Sequence, residues 1–278
     1  MRKAVGIVLF LLCGTVSGIA DECPGNREAL GTNRVVVVDP LEHPRVGTVQ
    51  YHETLPLNEH EVVLTFDDGP LSPYTSRILD TLAANCVKAT FFIVGRMANA
   101  YPDLVRRAYK EGHTIGTHTE DHPLTLSALA FDHAKREIDE GIASVTRVLG
   151  TSTGLAPFFR FPGLGRTEAL EKYLESQGIM IWSADVLAND WTQISSDRVV
   201  ELASEGLKRK GKGILLLHDI HERTVEALPA LLGKLKSSGF HIVHAVPVSG
   251  DRPKTVTAPA QWMLQPADKS LDPSEPAE

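Results

Sequence analysis

Short apolar runs recur at residues 62–66, 90–94, 114–116, 158–161, 179–182, 214–217 and 240–243. Runs of this length, bounded by turn-forming residues, read as strands buried on both faces. The segments between them carry apolar residues at helical spacing. Ile78, Leu79, Leu82, Ala83 and Cys86 form one stripe, and Leu129, Ala134, Ile138, Ile142, Val145 and Leu149 form a longer one. Val199, Leu202, Ala203 and Leu207, then Leu228, Leu231, Leu232 and Leu235, complete the set. Strand and helix thus alternate about seven times, which implies parallel strands joined by helical crossovers. An open doubly wound sheet and a closed barrel both satisfy that order, and both put active groups at the carboxyl ends of their strands. No Gly-x-Gly-x-x-Gly follows the first run, so a dinucleotide site has no support and the barrel is preferred.

The pattern is less regular at the two ends. Residues 1–20 read as an export signal: Arg2 and Lys3, an apolar run from Ala4 to Cys13, and small residues around Gly18 and Ala20. That run is shorter than the roughly 20 apolar residues a bilayer span needs, so no stable membrane span is expected. Large Leu12 in front of Cys13 argues against a lipoprotein signal. Cleavage near Ala20 predicts a secreted, periplasmic or cell-envelope protein. Residues 21–60 form a lead-in with a β-branched run at Val35, Val36, Val37 and Val38 and a strand-like stretch over 46–51. The regular alternation defines a domain over 61–249. Residues 250–278 are rich in Pro, Ser, Asp, Glu and Lys, and they predict a mostly disordered tail in which Trp262 is the one aromatic residue able to dock. Export would permit a disulfide between Cys23 and Cys86, while a buried, unpaired Cys86 at a helix end fits the same sequence.

Composition narrows the function only by exclusion. Of 278 residues, 42% are apolar and 23% charged, which is ordinary globular usage. The formal net charge of −7 disfavours a nucleic-acid partner, since binding a phosphate backbone is driven by clustered Lys and Arg.

The chemistry-bearing residues gather where the apolar runs end. The run at 62–66 leads straight into Asp67-Asp68-Gly69-Pro70, two adjacent carboxylates that can divide two tasks or simply cap a turn. His118 and His122 follow the run at 114–116, and Pro123 disfavours a helix there, so the pair belongs on a loop. Two imidazoles and one carboxylate make the mixed N/O set of catalytic zinc, although surface or core histidines give the same spacing. His218 ends the run at 214–217, where an imidazole can protonate a leaving amine or merely bond a backbone carbonyl. Arg160 ends another run and can orient a carboxylate or sit in a surface ion pair. Asp185, Asp190, Trp182 and Trp191 offer carboxylates and indoles for a sugar groove, with a core role equally open to each indole.

Taken together and in this order, these motifs resemble the polysaccharide deacetylases with the NodB homology domain, carbohydrate esterase family four. The resemblance covers roughly residues 61–245. It implies a distorted (β/α) barrel of seven or eight parallel strands and metal-dependent removal of acetyl groups from an N-acetylated polysaccharide. The polymer would be peptidoglycan, a chitin-type oligomer or an exopolysaccharide. By the same resemblance Asp68, His118 and His122 bind the metal, Zn²⁺ or an alternative such as Co²⁺. Asp67 is then the general base, Arg160 orients it, and His218 is the general acid. Asp190 supports His218, the Gly163 N–H binds the oxyanion, Trp191 shapes the groove, and Leu216 meets the acetyl methyl. Two departures stand out. Gly163 occupies a position where a bulkier residue is frequent, and four residues separate Asp185 from Asp190 where two are usual, which leaves both aspartates as candidates for supporting His218. A glycoside hydrolase on the same barrel and a non-catalytic carbohydrate-binding protein are the alternatives, and free acetate, shortened chains or neither would tell the three apart.

Overall fold

All seven apolar runs form parallel strands in the computed structural model, which describes residues 23, 26, 28–151 and 154–264. The expected export signal over 1–20 lies outside the described residues. In chain order the strands are β1 (Thr32–Val38), β2 (Arg45–Val46), β3 (Glu61–Asp67), β4 (Thr90–Ile93), β5 (Thr114–Thr117), β6 (Phe158–Phe159), β7 (Met180–Trp182), β8 (Val186–Leu187), β9 (Gly213–His218) and β10 (His241–Pro247). The helices are α1 (Tyr74–Ala84), α2 (Gly95–Ala100), α3 (Pro102–Lys110), α4 (Phe131–Leu149), α5 (Glu168–Ser176), α6 (Ser196–Lys210) and α7 (Glu222–Ser237).

Eight parallel strands run in the spatial order β8-β9-β3-β4-β5-β6-β7-β2 and form a distorted barrel. Among the described residues no ladder joins β2 to β8. The seam is bridged instead by the chain after β2, where the Val49 N–H donates to Ala184 O at 2.9 Å and the Thr48 N–H donates to Asp185 Oδ1 at 2.8 Å. β10 joins the lower end of β3 through His241 and Ile242 and carries β1 beside it.

Side-chain alternation sorts β3 between two cores. Val62, Leu64 and Phe66 face the layer packed by Leu79, Leu82, Leu207, Leu228 and Leu231 from the surrounding helices. Val63 faces inward with Phe92, Phe158, Trp182 and Ile214, and Val36, Val38, Val243 and Ala245 of β1 and β10 pack into the same cluster. Thr65 and Asp67 continue the inward face of β3 upward. The interior is therefore dry at the bottom and polar at the carboxyl ends of the strands, which fixes where chemistry can occur.

The structure revises both ends of the sequence-based domain scheme. The lead-in contributes β1 and β2 to the same sheet, so Glu61 begins a strand but separates no unit. The expected tail packs at least as far as residue 264. The Thr255 N–H donates to Val37 O at 3.0 Å, the Thr54 N–H donates to Trp262 O at 2.8 Å, and Trp262 is buried with its ring stacked on His43. Average composition pointed to disorder, but a few main-chain bonds and one buried indole suffice to hold the segment. Cys23 and Cys86 form a disulfide with a Cα–Cα distance of 5.6 Å, which settles that pairing. Among the described residues no helix is long and apolar enough to cross a membrane.

Candidate metal centre and catalytic site

The carboxyl ends of β3, β5, β6 and β9 bring the candidate residues into one cavity. Asp67 and His218 are register partners across β3 and β9. Asp67 is buried, and its Oδ1 accepts from Arg160 Nη1 at 2.6 Å. The Arg160 guanidinium is wholly enclosed: Nη1 also donates to Thr65 Oγ1 at 2.8 Å, Nη2 donates to Ser183 O at 2.8 Å, and the group lies over the Phe92 ring at 4.2 Å. Burial pulls the Arg160 pKa down and the charge of Asp67 opposes that pull. A buried pair of this kind is fragile to the loss of one partner, which typically costs about 3–5 kcal/mol. The surface-ion-pair reading of Arg160 is thereby excluded.

Asp68 turns out of the strand with φ +75°, in the left-handed region that non-glycine residues rarely occupy. Its Oδ1 lies 3.3 Å from His118 Nε2 and 3.0 Å from His122 Nε2. The loop carrying the two imidazoles is also strained, with φ +64° at Thr119 and +57° at His122. Conformations of this kind cost on the order of 1–3 kcal/mol each and persist only where surrounding contacts enforce them. Those contacts are visible: the Glu120 N–H donates to Glu137 O at 2.8 Å, and the Gly95 N–H donates to Thr119 O at 2.9 Å. Gly141 of α4 lets the helix approach the loop, since a Cβ there would sit 2.4 Å from the Thr119 carbonyl carbon.

The proton inventory shows what these three groups suit. His118 Nδ1 lies 2.6 Å from Arg160 O, a carbonyl that can only accept, so Nδ1 carries a hydrogen and Nε2 is the ring atom turned toward Asp68. Asp68 Oδ1 is buried; burial pushes the Asp68 pKa up, but the His118 and His122 imidazoles beside it outweigh that push and hold it well below the usual carboxylate range. Ligand atoms of Asp68, His118 and His122 all lie within 4.8 Å of one another. Two imidazole nitrogens and a carboxylate oxygen converging within a few ångströms fit a divalent cation, and the Arg160 carbonyl supplies the outer bond that fixes a ligand ring.

On the other side of Asp67 stands a second pair. Asp190 is wholly buried, and its Oδ1 lies 2.8 Å from His218 Nδ1. Asp190 Oδ2 accepts from the His218 N–H at 2.7 Å and from Thr224 Oγ1 at 2.6 Å. Burial disfavours the imidazolium, but the bond to Asp190 and the charges of Asp190, Asp67 and Asp68 outweigh it and raise His218 to about 9. His218 is therefore protonated at neutral pH, as a proton donor must be. Leu216 lies two residues back on the same inward face of β9, and Trp191, 43% exposed, stands edge-on to His218 with ring centroids 5.4 Å apart.

The remaining candidates separate by position. Asp190, not Asp185, meets His218. Asp185 accepts from the Thr48 N–H and Oγ1, from Thr54 Oγ1 and from the Ile214 N–H, and so secures the barrel seam. Trp182 is a core residue packed on Phe92 and Phe158. Gly163 takes φ +54°, and the space a side chain would occupy there is bordered by Leu124 Cδ2 at 3.3 Å. Thr65, Thr224 and Glu137 support the site without having been singled out from sequence, because their roles depend on partners 95, 34 and 16 residues away.

A family model described as Polysaccharide deacetylase matches residues 54–182, a span that holds Asp67, Asp68, His118, His122, Arg160 and Gly163. A peptidoglycan-N-acetylglucosamine deacetylase of Bacillus cereus is 36% identical over 197 residues, covering 68% of this chain and 68% of that protein. The chain belongs to the polysaccharide deacetylase family. A second family member, peptidoglycan-N-acetylglucosamine deacetylase PgdA of Listeria monocytogenes, is 34% identical over 69% of this chain, which spans only 39% of that longer protein. Among solved structures, a peptidoglycan deacetylase of Bdellovibrio bacteriovorus superposes with a TM-score of 0.71 at 28% identity, covering 81% of this chain and 62% of that one. The fold is thus shared with a solved peptidoglycan deacetylase.

Proposed function

We propose that this protein hydrolyses N-acetyl groups of N-acetylglucosamine-containing polysaccharide, peptidoglycan foremost, in the envelope or outside the cell, and releases acetate. One observation carries the reading: the cation-competent Asp68, His118 and His122 stand beside an Arg160-paired aspartate and an Asp190-paired histidine. A site for binding alone has no need of both a base and an acid. The names of the Bacillus and Listeria relatives favour peptidoglycan over chitin-type oligomers and exopolysaccharide. The Cys23–Cys86 disulfide supports an oxidising compartment, consistent with export by the first twenty residues.

A divalent cation held by Asp68, His118 and His122, Zn²⁺ or alternatively Co²⁺, supplies Lewis acidity that polarises an acetyl carbonyl and lowers the pKa of water. Asp67, its charge paired by Arg160, accepts a proton from the attacking water as the new C–O bond forms. The Gly163 N–H donates to the carbonyl oxygen as it gains charge, and loss of such a donor costs about 3 kcal/mol in comparable enzymes. His218 then gives its proton to the amide nitrogen as the C–N bond breaks, yielding acetate and a free amine. Leu216 borders the acetyl methyl and Trp191 flanks the sugar.

The test is acetate release from peptidoglycan and from N-acetylglucosamine oligomers, with and without chelator, alongside bound-metal analysis. Asp68→Ala and His122→Ala are expected to bind no zinc and release no acetate. His218→Ala should keep its zinc and lose about 10²-fold or more in turnover. Shortened chains without acetate, or chelator-insensitive release, would refute the reading.

A further inference from the structure

Asp219 is a wholly buried carboxylate that the reaction above does not use. It follows His218 at the end of β9, and its side chain turns away from the cavity toward the turn that carries Asp68. Oδ1 accepts the Gly69 N–H at 3.0 Å, and Oδ2 accepts Thr75 Oγ1 at 2.6 Å. Its own N–H donates to Asp67 O at 3.3 Å. No Lys or Arg among the described residues pairs with it, so its partners are only the turn and the first turn of α1. Contact with the turn is close enough that a Cβ on Gly69 would fall 2.1 Å from Asp219 Oδ2.

The consequence lies in the backbone of Asp68. A residue at φ +75° needs its neighbours fixed, or it relaxes to the ordinary region and its side chain swings away. Asp219 fixes the neighbour on each side: its side chain bonds Gly69, and its main chain bonds Asp67. Thr75 in turn is held by the Leu71 N–H at 2.8 Å, so the brace runs from β9 through the turn into α1. Both carboxyl oxygens of Asp219 have a donor in place, and burial raises the worth of a satisfied hydrogen bond.

We infer that Asp219 is a positioning residue that sets the Asp68 carboxylate against His118 and His122 and locks the strand end bearing His218 to the turn bearing Asp67. The inference rests on the reading of those three residues as the cation site. Outer groups that orient ligands typically change metal affinity by about 10–100-fold when removed.

The experiment titrates Co²⁺ and Zn²⁺ into the metal-free full chain against a chromogenic chelator and records the visible spectrum of the Co²⁺ form. Asp219→Leu, of similar volume and without acceptors, is expected to lose affinity about 10–100-fold, to shift the Co²⁺ bands, and to lower kcat at saturating metal with KM little changed. Asp219→Asn keeps an acceptor for the Gly69 N–H and is expected to recover affinity to within about threefold of the parent. Thr75→Val removes the hydroxyl that meets Oδ2 and the Leu71 N–H while leaving the Oδ1 bond to Gly69 in place, and it guards against the case in which Asp219→Leu does not fold; its expected loss is about three- to tenfold in affinity. Parental affinity and spectrum in Thr75→Val together with every folded leucine variant overturn the inference. A parent chain that binds neither cation refutes the cation site itself, and that outcome is distinct from variants matching a parent that does bind.

Discussion

Replacing Asp190 with Asn removes a charge from His218 while keeping nearly the same shape. In the parent, burial opposes the imidazolium, yet the Asp190 bond at 2.8 Å, backed by the charges of Asp67 and Asp68, lifts the pKa from 6.5 to about 9. The His218 side chain is only 12% exposed, so solvent screens this interaction little. The lift corresponds to about 3 kcal/mol at 1.36 kcal/mol per pKa unit. With Asp190, the largest contributor to the rise, neutralised, burial works unopposed by it and the pKa falls to about 6.5 or lower. At pH 7.5 nearly all parent molecules carry the proton, against about one in ten of the variant, so acetate release should fall about tenfold from protonation alone. The loss grows with pH, because the acid form exists only below its pKa. The assay is kcat/KM for acetate release from an N-acetylglucosamine oligomer between pH 5.5 and 9.5. The alkaline limb should move from near 9 in the parent to about 6.5 or below in Asp190→Asn, and an unmoved limb in a folded, metal-loaded variant would remove His218 as the acid.

Further outcomes concern stability. Burial, with Lys88 adding to it in each case, lowers His113 to about 3 and His244 to about 4, so both are neutral in the fold and take up protons in the unfolded chain below about 6.5. Stability is therefore full above that pH and declines as pH falls toward 4; thermal melting should show the decline, and His113→Gln, which keeps an acceptor for the Ala89 N–H, should reduce it. Cys23→Ser with Cys86→Ser opens a 63-residue separation and should lower unfolding free energy by about 2–4 kcal/mol in urea titrations while acetate release at 25 °C persists. Trp262→Ala should cost about 3–5 kcal/mol by the same measurement, as expected for an indole buried in the barrel interior and not for one on a loose tail.

Periodicity revealed the elements whose apolar residues are continuous. The seven strands and helices α1, α4, α6 and α7 follow from it because each buries a clear run or stripe. No apolar stripe marks α2, α3 or α5: they are short, and their buried residues are few, only Gly95 and Ala98 in α2. β8 spans two residues and carries no pattern of its own. At the site, Asp67, Asp68, His118, His122, Arg160 and His218 were legible because each sits at the end of an apolar run. The choice between Asp185 and Asp190 was not, since both precede β9 by a similar stretch and only the path of the intervening chain decides which one reaches His218. The packing of residues 250–264 was hidden for a related reason: its partners, Val37 and Thr54, lie more than 200 residues earlier.

The seam sealed by Asp185 has a mechanical consequence. A ring closed by ladders alone can change its circumference only by whole strands, about 4.8 Å at a time. Where a carboxylate and a short loop complete the ring, its girth follows the length of one side chain and can be graded in smaller steps. Changes near Thr48 and Asp185 can therefore alter the girth of the barrel at this seam without replacing Asp67, Asp68, His118, His122 or His218.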